Sequence, residues 1–219
     1  PFPTESSAIL ERLVSERLLV ARDDAFDLKR LGGLLLARNL ADFPELNEKA
    51  PRVVVFKGVS KLETRLDQTV STGYAVGIRG LVDLIMGQLP QNEVIEEVIR
   101  REVKLLPSLV IRELVANALI HQDFSIDGAS VMIEIYSNRV AISNPGKPVV
   151  DVERFIDSFR SRNVRLASLM RRMGVCEEQG SGIDKVIDAA ETYQLPAPEF
   201  REEHLRTSAV LAGNKPFED

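Results

Sequence analysis

Three polar side chains recur at every fourth position in the segment that follows Pro107: Glu113, Asn117 and His121. Residues spaced by four are about 40° apart around a helix axis, so a helix here would carry all three along one side. A carboxylate such as that of Glu113 can orient or deprotonate a water molecule. The amide oxygen of Asn117 is a hard ligand suited to Mg²⁺. A solvated helix face with hydrogen bonds between neighbouring turns explains the same spacing.

Two short glycine-containing segments favour close approach of a ligand to the backbone. Asn144-Pro145-Gly146 ends a predicted strand, where Gly146 would admit a flat ring or a phosphate and Asn144 could bind a base edge. Gly180-Ser181-Gly182 precedes a predicted helix, and the N–H groups at a helix start attract phosphate. For each segment alone the more common explanation is structural: a plain turn for the first and a helix cap supplied by Ser181 for the second.

A cluster of basic residues lies before another predicted helix and contains Arg160, Arg162, Asn163 and Arg165. Arginines in this position could hold a phosphate, or they could form ordinary surface ion pairs. His121 and Asp123 also raise the idea of a metal site. Only two histidines are present in the chain, so we do not favour a histidine-based metal centre.

The apolar periodicity predicts helices over 4–21, 74–89, 107–121, 164–173 and 183–190, and strands over 52–57, 130–136 and 139–143. Residues 28–40 suggest a helix broken at Gly32-Gly33, residues 22–27 a charged joint, and 93–106 either a helix or a strand. This order of elements favours an α/β fold in which helices cover one face of a sheet.

The composition is that of a globular protein: 219 residues, 44% hydrophobic and 28% charged. The net charge of -5 argues against DNA binding through phosphate contacts by this segment. A single cysteine, Cys176, excludes an internal disulfide and fits a reducing compartment. With no charged-then-apolar leader, we expect a cytoplasmic protein without membrane segments. Because the chain starts at Pro1 and ends after Phe217-Glu218-Asp219, we expect it to be a piece of a larger regulatory protein.

The motifs taken in order resemble one known family. They are RELVANALIHQDF at 112–124, ISNPG at 142–146, Arg162-Asn163 and GSGI at 180–183. This series is similar to the RecG-like C-terminal ATP-binding module of prokaryotic transcriptional regulators that carry a Schlafen-AlbA-type domain. That module is similar in turn to the GHKL ATPases (gyrase, Hsp90, MutL and histidine kinases). The likeness is strong over residues 105–198 and fainter before them.

The resemblance implies a two-layer α+β sandwich of the GHKL (Bergerat) type, with a mixed sheet and helices on one face. The GHKL-like domain would cover 105–213, preceded by a smaller α/β lobe at 28–104 and a helix and linker at 1–27, with a tail at 214–219. ATP and Mg²⁺ would be the ligands. The implied site comprises Glu113 as the general base, Asn117 as the Mg²⁺ ligand, and, as further nucleotide contacts, His121, Asn144, Gly146, Arg162, Asn163, Gly180, Ser181 and Gly182.

The implied function is an ATP-binding module that senses a signal or dimerises within a prokaryotic transcriptional regulator, with slow hydrolysis at most. The nucleotide and a second copy of the chain would be its partners, and DNA would be bound by domains outside this segment. The alternative is a degenerate GHKL fold that acts as a structural or protein-interaction domain without a ligand. Asn144 replaces the adenine-reading Asp of the GHKL ATPases and Pro145 removes a backbone donor, which favours the alternative. The Glu113/Asn117 pair and the glycine segment favour the ATP-binding module.

Overall fold

A six-stranded mixed sheet, together with the helices on one of its faces, organises the structure. The computed structural model describes residues 4–96, 99–152, 155, 160–176 and 181–213. The helices are α1 (Ser6–Ser15), α2 (Arg30–Leu36), a 3₁₀ helix (Leu40–Asp42), α3 (Pro44–Asn47), α4 (Tyr74–Gln88), α5 (Ser108–His121), α6 (Val164–Arg172) and α7 (Ser181–Thr192). The strands are β1 (Leu19–Ala21), β2 (Phe26–Leu28), β3 (Arg52–Phe56), β4 (Thr64–Thr69), β5 (Gln91–Glu96), β6 (Ile99–Lys104), β7 (Met132–Ile135), β8 (Arg139–Pro145), β9 (Glu199–Glu203) and β10 (Arg206–Ala212).

The strands of the main sheet follow the order β4-β3-β7-β8-β10-β9. β3 pairs in parallel with β7, with Val53 opposite Ile133, and the remaining neighbours are antiparallel. The sheet therefore draws strands from both halves of the chain. The predicted α/β fold class, with its mixed sheet and helices, is confirmed.

Alternation along the strands separates the two faces of the sheet. Val53, Val55 and Ile133 point into the main core, which also contains the apolar residues of α4 and α5. Val54, Phe56 and Tyr136 form a smaller cluster to which none of the described helices contributes a residue. Because side chains alternate with a period of two, one strand serves both clusters. The helices thus lie on one face and support α5, the helix that carries the candidate site.

The first predicted helix is shorter than expected. α1 ends at Ser15, Arg17 takes a φ of 52°, and the chain turns back as the β1–β2 hairpin. Gly32-Gly33 was predicted to break a helix but lies inside α2. A Cβ atom on Gly32 would lie 2.5 Å from the carbonyl oxygen of Leu18, so the glycine permits α2 to pack against this backbone.

Several elements begin or end at other residues than the apolar periodicity predicts, and some were not predicted. Residues 93–106 contain most of the antiparallel β5–β6 hairpin, and α7 begins at Ser181 rather than after Gly182. β4 and β9 were missed because they are edge strands whose side chains are nearly all exposed. Among the described helices, none combines the length and apolar character needed to cross a bilayer.

Candidate functional site

Helix α5 is the central element of the candidate site. Its backbone starts directly after Pro107, which fixes the extended entry with a φ of -66°. Nine of its fourteen residues are buried, so its position is set by packing against the sheet and the neighbouring helices. Glu113 is itself almost fully buried, at 2% exposure, whereas Asn117 and His121 are half-buried. The three polar side chains therefore follow one side of a helix that the core holds in place.

The two carboxylate oxygens of Glu113 have different surroundings. Oε1 accepts hydrogen bonds from Nε of Arg112 at 3.1 Å and from Nη2 at 2.8 Å. Oε2 faces the first turn of α7 instead, as the geometry at Gly182 shows. A buried carboxylate requires a charged or hydrogen-bonded partner, and Arg112 provides it.

Gly182 brings the start of α7 directly onto α5. A Cβ atom placed on Gly182 would lie 3.3 Å from Oε2 of Glu113, and 3.5 Å and 3.8 Å from Nδ2 and Oδ1 of Asn117. The structure thus brings together three residues that the sequence placed in one site, although they are up to 69 residues apart. Gly180 lies outside the described residues, and Ser181 is described only as the first residue of α7.

The strand predicted to end at residue 143 continues through Asn144 and Pro145 as the end of β8, and the turn at Gly146 packs against the end of α5. Gly146 has a φ of +100°, and a Cβ atom on it would lie 2.7 Å from Cβ of Asp123. The backbone N–H of Asp123 donates to the carbonyl of Pro145 at 2.8 Å. Asn144 is buried, and its amide donates to the same carbonyl at 3.1 Å. Gly146 is therefore required both for its positive φ and for the close approach of Asp123.

Arg162 and Asn163 hold the same junction from the other side. Arg162 pairs with Asp123, with Nη1 2.7 Å from Oδ2, and donates to the carbonyl of Lys147 at 2.5 Å. Asn163 donates from Nδ2 to the carbonyls of Ile120 at 2.7 Å and Gln122 at 2.8 Å. Ile120 lies in the last turn of α5 and Gln122 directly follows the helix, where backbone carbonyls have no partner within the helix. Both residues therefore position the end of α5 relative to the turn after β8.

Asp123 lies at the centre of this junction, although the sequence indicated it only as a metal candidate. The hydroxyl and the backbone N–H of Ser125 donate to its carboxylate, and these bonds, with the charge of Arg162, lower the pKa of Asp123. Its spacing of two from His121 was the only local signal. Its contacts with Gly146 and Arg162 are long-range and leave no pattern in the sequence.

His121 stands at the last position of α5, close to the positive charge of Arg162. Burial and that charge both lower the pKa of the imidazole. At neutral pH the ring is therefore uncharged and presents one donor and one acceptor. It can contribute a hydrogen bond to a ligand but not a positive charge.

The oxygen and nitrogen groups of the site fit a shared rather than an all-protein magnesium site. Within the described residues, no group of three or more histidine, cysteine, aspartate or glutamate side chains is placed to hold a metal. Mg²⁺ usually keeps several waters and takes one or two protein ligands together with substrate phosphates. Asn117 and Glu113 offer such a partial set, with the first turn of α7 packed beside them at Gly182.

The sequence of the second half matches a known family. Residues 128–211 match the family model described as "Putative ATP-dependent DNA helicase recG C-terminal". Over these residues the chain is similar to that family. The resemblance predicted from the motifs is confirmed for this ATPase-like module. The match includes Asn144, Gly146, Arg162 and Gly182, and it begins after Glu113 and Asn117.

A solved structure shares the fold over nearly the whole chain. The crystal structure of the DIP2311 protein from Corynebacterium diphtheriae superposes with a TM-score of 0.74 at 22% sequence identity. The alignment covers 95% of this chain and 42% of that one, so the chain spans less than half the length of this relative. At this identity the likeness shows the fold alone. No curated protein is significantly similar to the chain.

Proposed function

We propose that this RecG C-terminal-type module binds ATP together with Mg²⁺ on the face between α5 and α7. The supporting observation is the packing of Gly182 against Glu113 and Asn117, with 3.3 Å from the position of a Gly182 Cβ atom to Oε2 of Glu113. A glycine here leaves the first N–H groups of α7 directly beside a carboxylate and an amide. This combination suits a phosphate chain that carries a magnesium ion.

Each side chain has a distinct task in this proposal. The Asn117 amide oxygen binds the magnesium ion, and the first turn of α7, from Ser181 and Gly182 onward, receives the phosphates. The turn at Asn144 and Gly146, with the uncharged His121 nearby on α5, faces the base. Arg162 and Asn163 act by fixing this turn against the end of α5. The bound Mg-ATP would supply the phosphate charge that the N–H groups of the first turn of α7 receive.

Slow hydrolysis at most follows from the surroundings of Glu113. Its Oε1 already accepts two hydrogen bonds from Arg112, so Oε2 alone remains to orient a water molecule. Among the three arginines first considered as phosphate ligands, Arg162 already donates to the carboxylate of Asp123 and to the carbonyl of Lys147. The proposal therefore describes a binding module in which ATP serves as a signal or a structural ligand.

We place this module within a cytoplasmic prokaryotic transcriptional regulator, where it senses a signal or forms homo-oligomers. The support is the ordered series of motifs described above, which resembles the module of such regulators. The net charge of -5 assigns DNA contacts to domains outside this segment.

A scaffold without a ligand is the second candidate, and one observation favours it. Asp123 fills the space beside Gly146, and the Asn144 amide is bonded to its own neighbour, Pro145. In this arrangement the turn closes on the protein itself rather than remaining open for a base.

The melting temperature with and without millimolar Mg-ATP separates these two candidates. A ligand at 100 times its Kd stabilises the native state by about 2.7 kcal/mol, which raises the melting temperature by several degrees or less for a domain of this size. Asn117→Ala should abolish the shift, whereas Asn47→Ala, at an exposed position in α3, should retain it. A folded chain that shows no shift at any concentration would favour the scaffold. Rapid phosphate release would contradict the assignment of a slow or inactive ATPase.

A further inference from the structure

A cleft of about 460 Å³ opens between the segment containing α2 and α3 and the start of α6. Its volume lies in the range of small-molecule sites. Its apolar wall consists of Leu31, Leu34, Leu46, Phe124, Val164 and Leu166. Its charged and polar lining consists of Arg30, Glu45, Lys49, Arg162, Asn163 and Arg165. Glu113, Asn117 and Gly182 do not line it.

The charges around the cleft leave a positive excess. Arg30 pairs with Glu45 within the lining, Lys49 pairs with Glu48 at 3.0 Å, and Arg162 pairs with Asp123 at 2.7 Å. These three cations therefore each have a carboxylate partner. The fourth cation of the lining is Arg165, and its partners are different.

Arg165 donates only to backbone carbonyls: to that of Glu16 at 2.6 Å and to that of Arg17 at 3.5 Å. Within the described part of the chain it has no carboxylate partner. A guanidinium paired with carbonyls keeps its full charge, so it attracts one anionic group in the cleft. Nε of Arg162, also at the wall, is buried and lacks an acceptor in the described structure.

We propose that this cleft binds a small molecule with one acidic group on an apolar body. The leucines and Phe124 would cover the apolar body, and Arg165 would pair with the acidic group. Arg162 also contacts Asp123, which packs against Gly146, so this ligand would stabilise the junction at the end of α5. Arg162 and Asn163 belong to both surroundings, but the groups proposed to contact this ligand, Arg165 and the apolar wall, are not those proposed to contact Mg-ATP, so the inference does not depend on nucleotide binding.

A pair of fluorescent probes that differ in one charge tests this proposal on the whole chain. 8-Anilinonaphthalene-1-sulfonate carries an acidic group on an apolar body, and N-phenyl-1-naphthylamine is the same ring system without the sulfonate. We expect saturable binding of the sulfonate probe, about tenfold tighter than that of the neutral probe, since a hydrogen bond to a charged group contributes about that factor or more.

Two substitutions locate the probe. Arg165→Gln removes the unpaired cation, and Val164→Glu adds a carboxylate at a position that is 67% exposed, where a first-turn acidic residue suits the helix. Arg165→Gln should weaken the sulfonate probe about tenfold and leave the neutral probe unchanged, whereas Val164→Glu, which also removes part of the apolar wall, should weaken the sulfonate probe more than the neutral one. Arg79→Gln makes the same charge change at an exposed position outside the cleft and should have no effect. Equal affinity for both probes, insensitivity to both substitutions, or displacement of the sulfonate probe by Mg-ATP would overturn the proposal.

Discussion

Gly182 at the start of α7 and Glu113 in the middle of α5 approach so closely that a Cβ atom on Gly182 would lie 3.3 Å from Oε2 of Glu113. Few real Cβ atoms are found at such a distance from their neighbours, so any larger residue would displace the carboxylate or the start of the helix. The contact joins a buried carboxylate to the helix start whose glycines the sequence analysis connected with phosphate binding.

Gly182→Ala should weaken Mg-ATP binding by about tenfold or more while leaving the fold intact. The added methyl group meets Glu113 and Asn117, and overpacking of this kind typically costs about 1–3 kcal/mol. Gly80→Ala is the matched control, because a Cβ atom at Gly80 meets nothing within 4 Å. It should stabilise α4 by about 0.5–1 kcal/mol and leave binding unchanged. Binding titrations and urea unfolding of both variants measure these effects, and equal binding by the two would argue against a site beside Gly182.

Asn163→Ala should lower the free energy of unfolding by about 1–3 kcal/mol. The substitution removes the Nδ2 donor of two carbonyls at the end of α5, those of Ile120 and Gln122. Asn47→Ala removes the same group from an exposed position and should change stability by about 0.5 kcal/mol or less. Urea unfolding monitored by circular dichroism provides the comparison. If the two variants were equally stable, Asn163 would not anchor α5.

Acidification should destabilise the chain below about pH 6.5 in a way that depends on His121. Its pKa is lowered from 6.5 in the folded state by burial and by Arg162, so below that pH the unfolded chain binds more protons than the folded chain. Stability is therefore unaffected by this group above pH 6.5 and declines as the pH falls toward its folded-state pKa. His121→Gln should remove this part of the slope, whereas His204→Asn, at an exposed position with positive φ, should preserve it. If His204→Asn removed this part of the slope and His121→Gln preserved it, the burial of His121 would not explain the pH dependence of stability.

Local pattern was sufficient for the elements that carry the site. Pro107 and the apolar spacing that follows it predicted α5, and alternation predicted β7 and β8. The β1–β2 hairpin was missed because Leu18 and Leu19 continue the helical spacing of α1, although Arg17 reverses the chain. The edge strands β4 and β9 lack an apolar side, so their sequences show no alternation of apolar and polar residues.

The site itself could be predicted only in part. The spacing on α5 and the glycines before α7 identified Glu113, Asn117 and Gly182 as candidates, and the structure brings them together. The junction between Asp123 and Arg162 joins residues 39 positions apart, and no local pattern indicates such a contact. Sequence reasoning therefore assigned Arg162 to a ligand, whereas the structure shows it paired within the protein.

Calorimetric titration of the chain with Mg-ATP tests the central claim most directly. The account predicts saturable binding that is lost in Asn117→Ala, weakened when Mg²⁺ is removed by a chelator, and retained in Asn47→Ala. Circular dichroism of each variant confirms that the chain is folded during the measurement. A folded wild-type chain that binds no Mg-ATP at millimolar concentration, or an Asn117→Ala variant that binds it as tightly as the wild type, would contradict the proposed nucleotide site.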